Sequence, residues 1–160
     1  MFDVRRLFAA LGRKAGPRNA FERGVVALDA GDHLGAAREF EAALDDAADD
    51  AARATVHNKR GVALVALGRR SDALEAFCAA LDLDERCAPA LVNVGNLLLE
   101  DAHALDAIDY YEAAILADAT YPPAHRHLGI ALKRLGRRSE AVRALRLADR
   151  LAGRRALPRA

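Results

Sequence analysis

The sequence predicts an all-α fold, a right-handed solenoid of four helical hairpins with an additional amphipathic helix at the N-terminus. Periodicity is the first of three observations behind this. Gly61, Gly95 and Gly129 stand 34 residues apart, and three further sets keep the same step: Leu64, Leu98 and Leu132; Ala73, Ala107 and Ala141; Ala80, Ala114 and Ala148. Such self-similarity marks stacked supersecondary units. The second observation is the apolar spacing inside one copy. Val62, Leu64, Val65 and Leu67 run up to Gly68, and Leu74, Phe77 and Leu81 follow it, at helical rather than alternating intervals. The third is composition: with 52% hydrophobic but only 5% aromatic residues, the core must be made mainly of Ala, Leu and Val, which suits closely approaching helices.

The elements follow in order. "MFDVRRLFAALG" sets Val4, Leu7, Phe8 and Leu11 on one helical stripe with Arg5, Arg6, Arg13 and Lys14 around it, so residues 1–16 are expected to form the amphipathic helix. Three roles stay open for it: a cap on the first repeat, a ligand of the chain's own groove, or peripheral contact with an anionic membrane. Its longest uncharged stretch before Gly12 is five residues, too short for a signal-peptide core, and a cytoplasmic location is expected. The repeat domain covers 17–153. Gly24 opens its first copy, with Ala36, Phe40 and Ala43 at the offsets that Ala73, Phe77 and Ala80 hold after Gly61. Gly24 lies 37 residues before Gly61, so three residues are inserted, expected in the acidic stretch 45–50. The copies fall at about 17–50, 54–87, 88–121 and 122–155, and a basic tail is expected at 154–160. A lone hairpin cannot bury both its faces, and four copies exceed the roughly three that stacking needs.

"GRRSDALEAF" at 68–77 returns as "GRRSEAVRAL" at 136–145, and two arginines beside a helix start raise the question of an anion site. Aligning the turns answers it. The equivalents are Gly31-Asp32-His33-Leu34 and Ala102-His103-Ala104-Leu105, which carry no arginines, and no strand or glycine-rich loop precedes any of them. The stretch reads as the turn between two helices, with Gly68 and Gly136 as left-handed residues and Ser71 and Ser139 expected as caps. Pro89 and the Pro122-Pro123 pair stand where helices are expected to start.

The 34-residue period, its glycine, and Ala, Phe/Tyr and Ala at fixed offsets resemble the tetratricopeptide repeat family over about residues 17–153. Two features depart from the family: Ala20, His57, Leu91 and His125 occupy its bulky position with no Trp, and the proline near each repeat's end is missing. The resemblance implies a non-enzymatic adaptor or scaffold that binds a peptide or partner helix in a concave face lined by each repeat's first helix. The groove positions it implies are Phe21 and Val25, with Arg18 and Glu22, in the first repeat. They are Asn58 and Val62, with Lys59, in the second, and Asn93, Asn96 and Glu100, with Leu99, in the third. The fourth supplies Arg126, His127 and Lys133. Asn93 and Asn96 can hold a peptide backbone, since an amide both donates and accepts; the alternative is that they solvate or fix a helix face. Asn93 matches one asparagine of the carboxylate clamp found in some members, but Asn58 and Pro123 replace clamp lysines and His127 its arginine, so that clamp is not expected.

Catalysis finds no foothold in the residues: no Ser or Cys nucleophile motif appears, and carboxylates are spread over helix surfaces. No cofactor or metal is expected. His125 and His127 are two residues apart, on different helix faces, and His57 and His125 share a repeat position that suits packing. Cys78 and Cys87 fit neither a redox pair nor a zinc knuckle and are expected as unpaired thiols. The net charge of +1 conceals a polar layout, with +3 over 1–16, −5 over 17–53, 0 over 54–87, −6 over 88–121 and +9 over 122–160. The expected partner is therefore another protein or peptide, of acidic character, with self-association between basic ends and acidic middles as a second reading. Nonspecific anion or nucleic-acid binding by the basic C-terminal face is a third; no aromatic platform accompanies the charge, so no specific nucleic acid is expected.

Overall fold

The structure, a computed structural model, describes residues 19–156, with side chains described to 154. The expected N-terminal helix at 1–16 and the groove position Arg18 lie outside the described residues. Among those described there are eight helices and no strands: α1 Ala20–Asp29, α2 His33–Ala43, α3 Asp50–Ala66, α4 Arg70–Leu83, α5 Ala88–Glu100, α6 Ala104–Ala117, α7 Pro122–Arg134 and α8 Arg138–Ala156. They pair as α1–α2, α3–α4, α5–α6 and α7–α8, and each second helix also packs on the first helix of the next pair. The chain is an all-α repeat solenoid. The tail expected from 154 is still helical to 156.

Each hairpin closes on one pairing. Gly24 faces the Phe40 ring, Gly61 the Phe77 ring and Gly95 the Tyr111 ring, and a Cβ added to Gly24 or Gly95 would stand 2.7 or 2.6 Å from a ring carbon. In the fourth hairpin Gly129 meets Leu145 at 2.7 Å on the same measure. Phe40, Phe77 and Tyr111 are all fully buried. Alanines line the seam beside them, with Ala36, Ala73, Ala107 and Ala114 showing no exposed surface. The core is continuous along the stack. One apolar cluster joins α1–α4 to Val94 and Leu97 of α5, another runs through α5–α8, and Leu81, Leu98 and Tyr110 pack against both.

The turns show the same economy. Gly31, Gly68 and Gly136 have φ of +79°, +74° and +76°, and the third turn puts Ala102 at +67°, a left-handed conformation that costs a side-chain-bearing residue about 1 kcal/mol. Ser71 and Ser139 do not cap as expected. Helices α4 and α8 start at Arg70 and Arg138, one residue earlier, so both serines sit inside the first turn. The entry is closed instead by an arginine gripping the acid three residues on: Arg69 with Asp72 at 2.5 Å, and Arg137 with Glu140 at 2.7 Å. Side-chain caps occur at α1, α2 and α3, where Asn19, Asp32 and Asp49 accept from Glu22, Gly35 and Ala52 backbone N–H groups. Residues 44–49, between α2 and α3, hold most of the expected acidic insertion, and Pro89 and Pro122 fall in the first turns of α5 and α7.

Replacing Gly61 with Ala is expected to destabilise the protein by roughly 2 kcal/mol. The methyl collides with a fully buried ring, an overpacking cost of up to about 3 kcal/mol, while better helix propensity returns about 1 kcal/mol. Urea unfolding checks it: the midpoint should fall with the slope unchanged.

Candidate peptide-binding groove

First helices of successive hairpins touch each other, α1 with α3, α3 with α5 and α5 with α7, whereas the second helices do not meet one another. The stack is therefore splayed on the outside and tight on the inside, and α1, α3, α5 and α7 form its inner face. A cavity of about 290 Å³ opens there between α3 and α5. Val62, Val65 and Ala66 form one wall, Asn93, Asn96, Leu97 and Glu100 the other, and Phe77 contributes from α4. The valines recur because positions three residues apart share a helix face.

Hydrogen bonds orient both wall asparagines. Asn93 Nδ2 donates to Asn58 Oδ1 at 2.8 Å, and Tyr111 Oη donates to Asn96 Oδ1 at 2.9 Å. Asn58 is buried behind the wall, so its part is to hold Asn93. Burial pushes the Tyr111 phenol up to about 12, with Glu100 adding to the rise and Arg134 opposing it, so the phenol stays a donor at neutral pH. These bonds leave Asn93 Oδ1 and Asn96 Nδ2 without a partner among the described residues. One acceptor and one donor thus stand three residues apart along the cavity edge. At one end Arg70 ties α5 to α4, donating to Asp101 at 2.8 Å and to the Leu97 carbonyl at 3.1 Å while also pairing with Glu100.

Val62, Asn93, Asn96 and Glu100 are thus brought together, with Asn58 beneath them. The other expected groove residues are placed elsewhere. Phe21 is half-buried against Phe40, ring centroids 5.8 Å apart, and lines a separate recess of about 270 Å³ with Ala43, Thr55 and Val56. Val25 is half-buried against the same apolar cluster. Leu99 is buried in the core and exposes no groove surface, because at its turn α5 packs against the second pair of hairpins. His127 lies over the Tyr111 ring at 5.8 Å, and burial, then the neighbouring Arg126 charge, lowers its pKa, keeping it neutral at pH 7. Arg126 is exposed and paired with Asp149 at 3.0 Å, while Lys133 is exposed near the end of α7. Val65, Ala66, Leu97, Tyr111 and Arg70 were not among the expected site residues. Helical spacing of three or four residues from Val62 and Asn93 points to the first three; the reach of the Tyr111 hydroxyl and of Arg70 depends on tertiary geometry.

Of the other histidines, His33 and His57 each bury an Nδ1 that has no partner among the described residues. His125 bonds the Ala119 carbonyl at 2.9 Å through Nε2. Cys78 and Cys87 are free, and burial raises both thiols, which disfavours the nucleophilic thiolate. Among the described residues, no helix is long and apolar enough to cross a membrane.

Residues 54–87, the hairpin that supplies Asn58 and Val62, match the family description "Tetratricopeptide repeat". The chain is a tetratricopeptide-repeat protein. Its repeats are similar to those of the probable UDP-N-acetylglucosamine–peptide N-acetylglucosaminyltransferase SPINDLY of Arabidopsis thaliana, 33% identical over 93 residues. That match covers 58% of this chain but 10% of the plant protein, and lies in its repeat region. Among solved structures the tetratricopeptide solenoid resembles MamA, with TM-score 0.68, 21% identity, and coverage of 95% of this chain and 86% of that one. It also resembles the second tetratricopeptide domain of Spaghetti (RPAP3) bound to the HSP90 peptide SRMEEVD, with TM-score 0.58, 24% identity, and coverage of 62% and 92%.

Replacing Tyr111 with Phe in this tetratricopeptide protein is expected to cost about 1 kcal/mol near neutral pH by removing the bond to Asn96. The phenol's folded pKa lies above its unfolded value, so its contribution is present below pH 10 and lost as pH rises toward about 12. Urea midpoints of wild type and variant should therefore converge as pH climbs through that window. A gap that stays constant would contradict this.

Proposed function

We propose that this protein binds an extended peptide segment of another protein in the groove between α3 and α5, acting as a non-enzymatic adaptor. One observation carries the reading: an oriented acceptor on Asn93 and an oriented donor on Asn96 flank an apolar cavity of about 290 Å³. An extended backbone presents N–H and C=O groups that such a pair satisfies whatever the side chains are. The cavity over Val62, Leu97 and Phe77 takes one apolar side chain of the ligand. Exposed Lys133, near the end of α7, favours an acidic ligand residue. The peptide held by the Spaghetti domain supports this class of ligand. It does not supply the ligand's sequence, since Asn58 and His127 here serve packing and bonding within the chain.

Peptides selected from a displayed random library against the wild-type protein provide the probe. Replacing Asn93 and Asn96 together with Ala should weaken their binding roughly 10- to 30-fold, the equivalent of two lost hydrogen bonds, with helicity preserved by circular dichroism. Unchanged affinity would remove the pair from the site.

A further inference from the structure

The outer face of the stack carries a pattern that groove binding does not use. On α4, α6 and α8 four positions at intervals of four, three and four residues share one exposed face. On α6 these are Leu105, Asp109, Glu112 and Leu116; on α8 they are Ser139, Arg143, Arg146 and Arg150. The positions correspond one to one at the 34-residue step, so the charge reverses between adjacent, equivalent ridges. None of the three arginines, nor Asp109 or Glu112, forms an ion pair or hydrogen bond among the described residues. Arg137 and Arg143 lie near enough to Glu112 and Glu140 to feel their charge, but both Glu140 oxygens are held by Arg137. The acidic ridge is flanked by two uncovered leucines, Leu105 at 67% and Leu116 at 82% exposure.

We propose that these two ridges are the halves of a self-complementary surface whose partner is a second copy of this chain. Helices α6 and α8 are the second helices of successive hairpins, so equivalent residues recur at matching turns of the two helices. A two-fold axis parallel to these helices and midway between them lays α6 of each copy on the partner's α8. Asp109 then faces the partner's Arg143, Glu112 the partner's Arg146, and Leu116 the aliphatic stem of the partner's Arg150; symmetry makes every contact twice. A polyanion such as nucleic acid fits less well, because the path from the arginines runs directly onto the acidic ridge and leaves the leucines bare. A dimer on the outer face leaves both inner grooves open, so this inference stands whether or not the groove binds peptide.

Sedimentation of the full chain at micromolar concentration tests the pairing. The wild type should be dimeric in about 10 mM salt and dissociate in about 1 M salt, where the Debye length shrinks from about 30 Å to 3 Å. The variants Arg143→Glu/Arg146→Glu and Asp109→Arg/Glu112→Arg should each associate at least about tenfold more weakly with themselves, since every pair becomes repulsive. Mixed together they should form a one-to-one dimer, because each then supplies the charges the other lacks. A wild type that is monomeric in low salt, a variant that still dimerises alone, or two helical variants that fail to combine would each overturn the proposal. So would association that appears only when an oligonucleotide is added.

Discussion

The architecture depends on four places where a helix has no side chain. Gly24, Gly61 and Gly95 each leave room for a single ring, and Gly129 for a leucine, at distances where even a methyl group would collide. This brings the two helices of each hairpin close enough for alanine to fill the seam, which explains how a chain with 5% aromatic residues builds a continuous core. The rings do more than fill space. Tyr111, seated on Gly95, sends its hydroxyl to Asn96 one residue along the same helix, so the constraint that closes the third hairpin also sets the polar geometry of the groove.

Stacking such hairpins separates two surfaces with different chemistry. The first helices meet and form a tight inner face whose polar groups are largely committed: Asn58 to Asn93, Tyr111 to Asn96, Arg70 to Glu100, Asp101 and the Leu97 carbonyl. What stays open there is small and directional, an acceptor and a donor beside an apolar hollow. The second helices do not meet, and their outer positions are free to vary from repeat to repeat. That freedom permits acids at 109 and 112 and arginines at 143 and 146 without cost to the core.

Much of the fold was legible in the sequence because it follows from a one-dimensional rule, the 34-residue step. Glycine spacing locates the hairpins, the Phe/Tyr offset locates the buried rings, and the turn glycines locate the left-handed residues. Capping was not legible: Ser71 and Ser139 have the right chemistry, but the arginine–acid pairs begin the helices one residue earlier. The groove was only partly legible for the same kind of reason. Val62, Asn93, Asn96 and Glu100, implied by the family resemblance, do line the cavity, whereas Leu99 and Asn58 turn inward because the neighbouring hairpin decides what is covered. Arg70 enters the site from a second helix about 30 residues away in sequence, which no local pattern reveals.

Peptide reading by two pre-oriented amides is most directly tested by following the side-chain amide resonances of the asparagines in an NMR titration with a selected peptide. The Asn96 amide protons, which have no partner among the described residues, should shift and saturate with the peptide, with a smaller change at Asn93, whose amide already binds Asn58. Saturating shifts confined to the outer helices, with both groove asparagines unmoved, would contradict the reading.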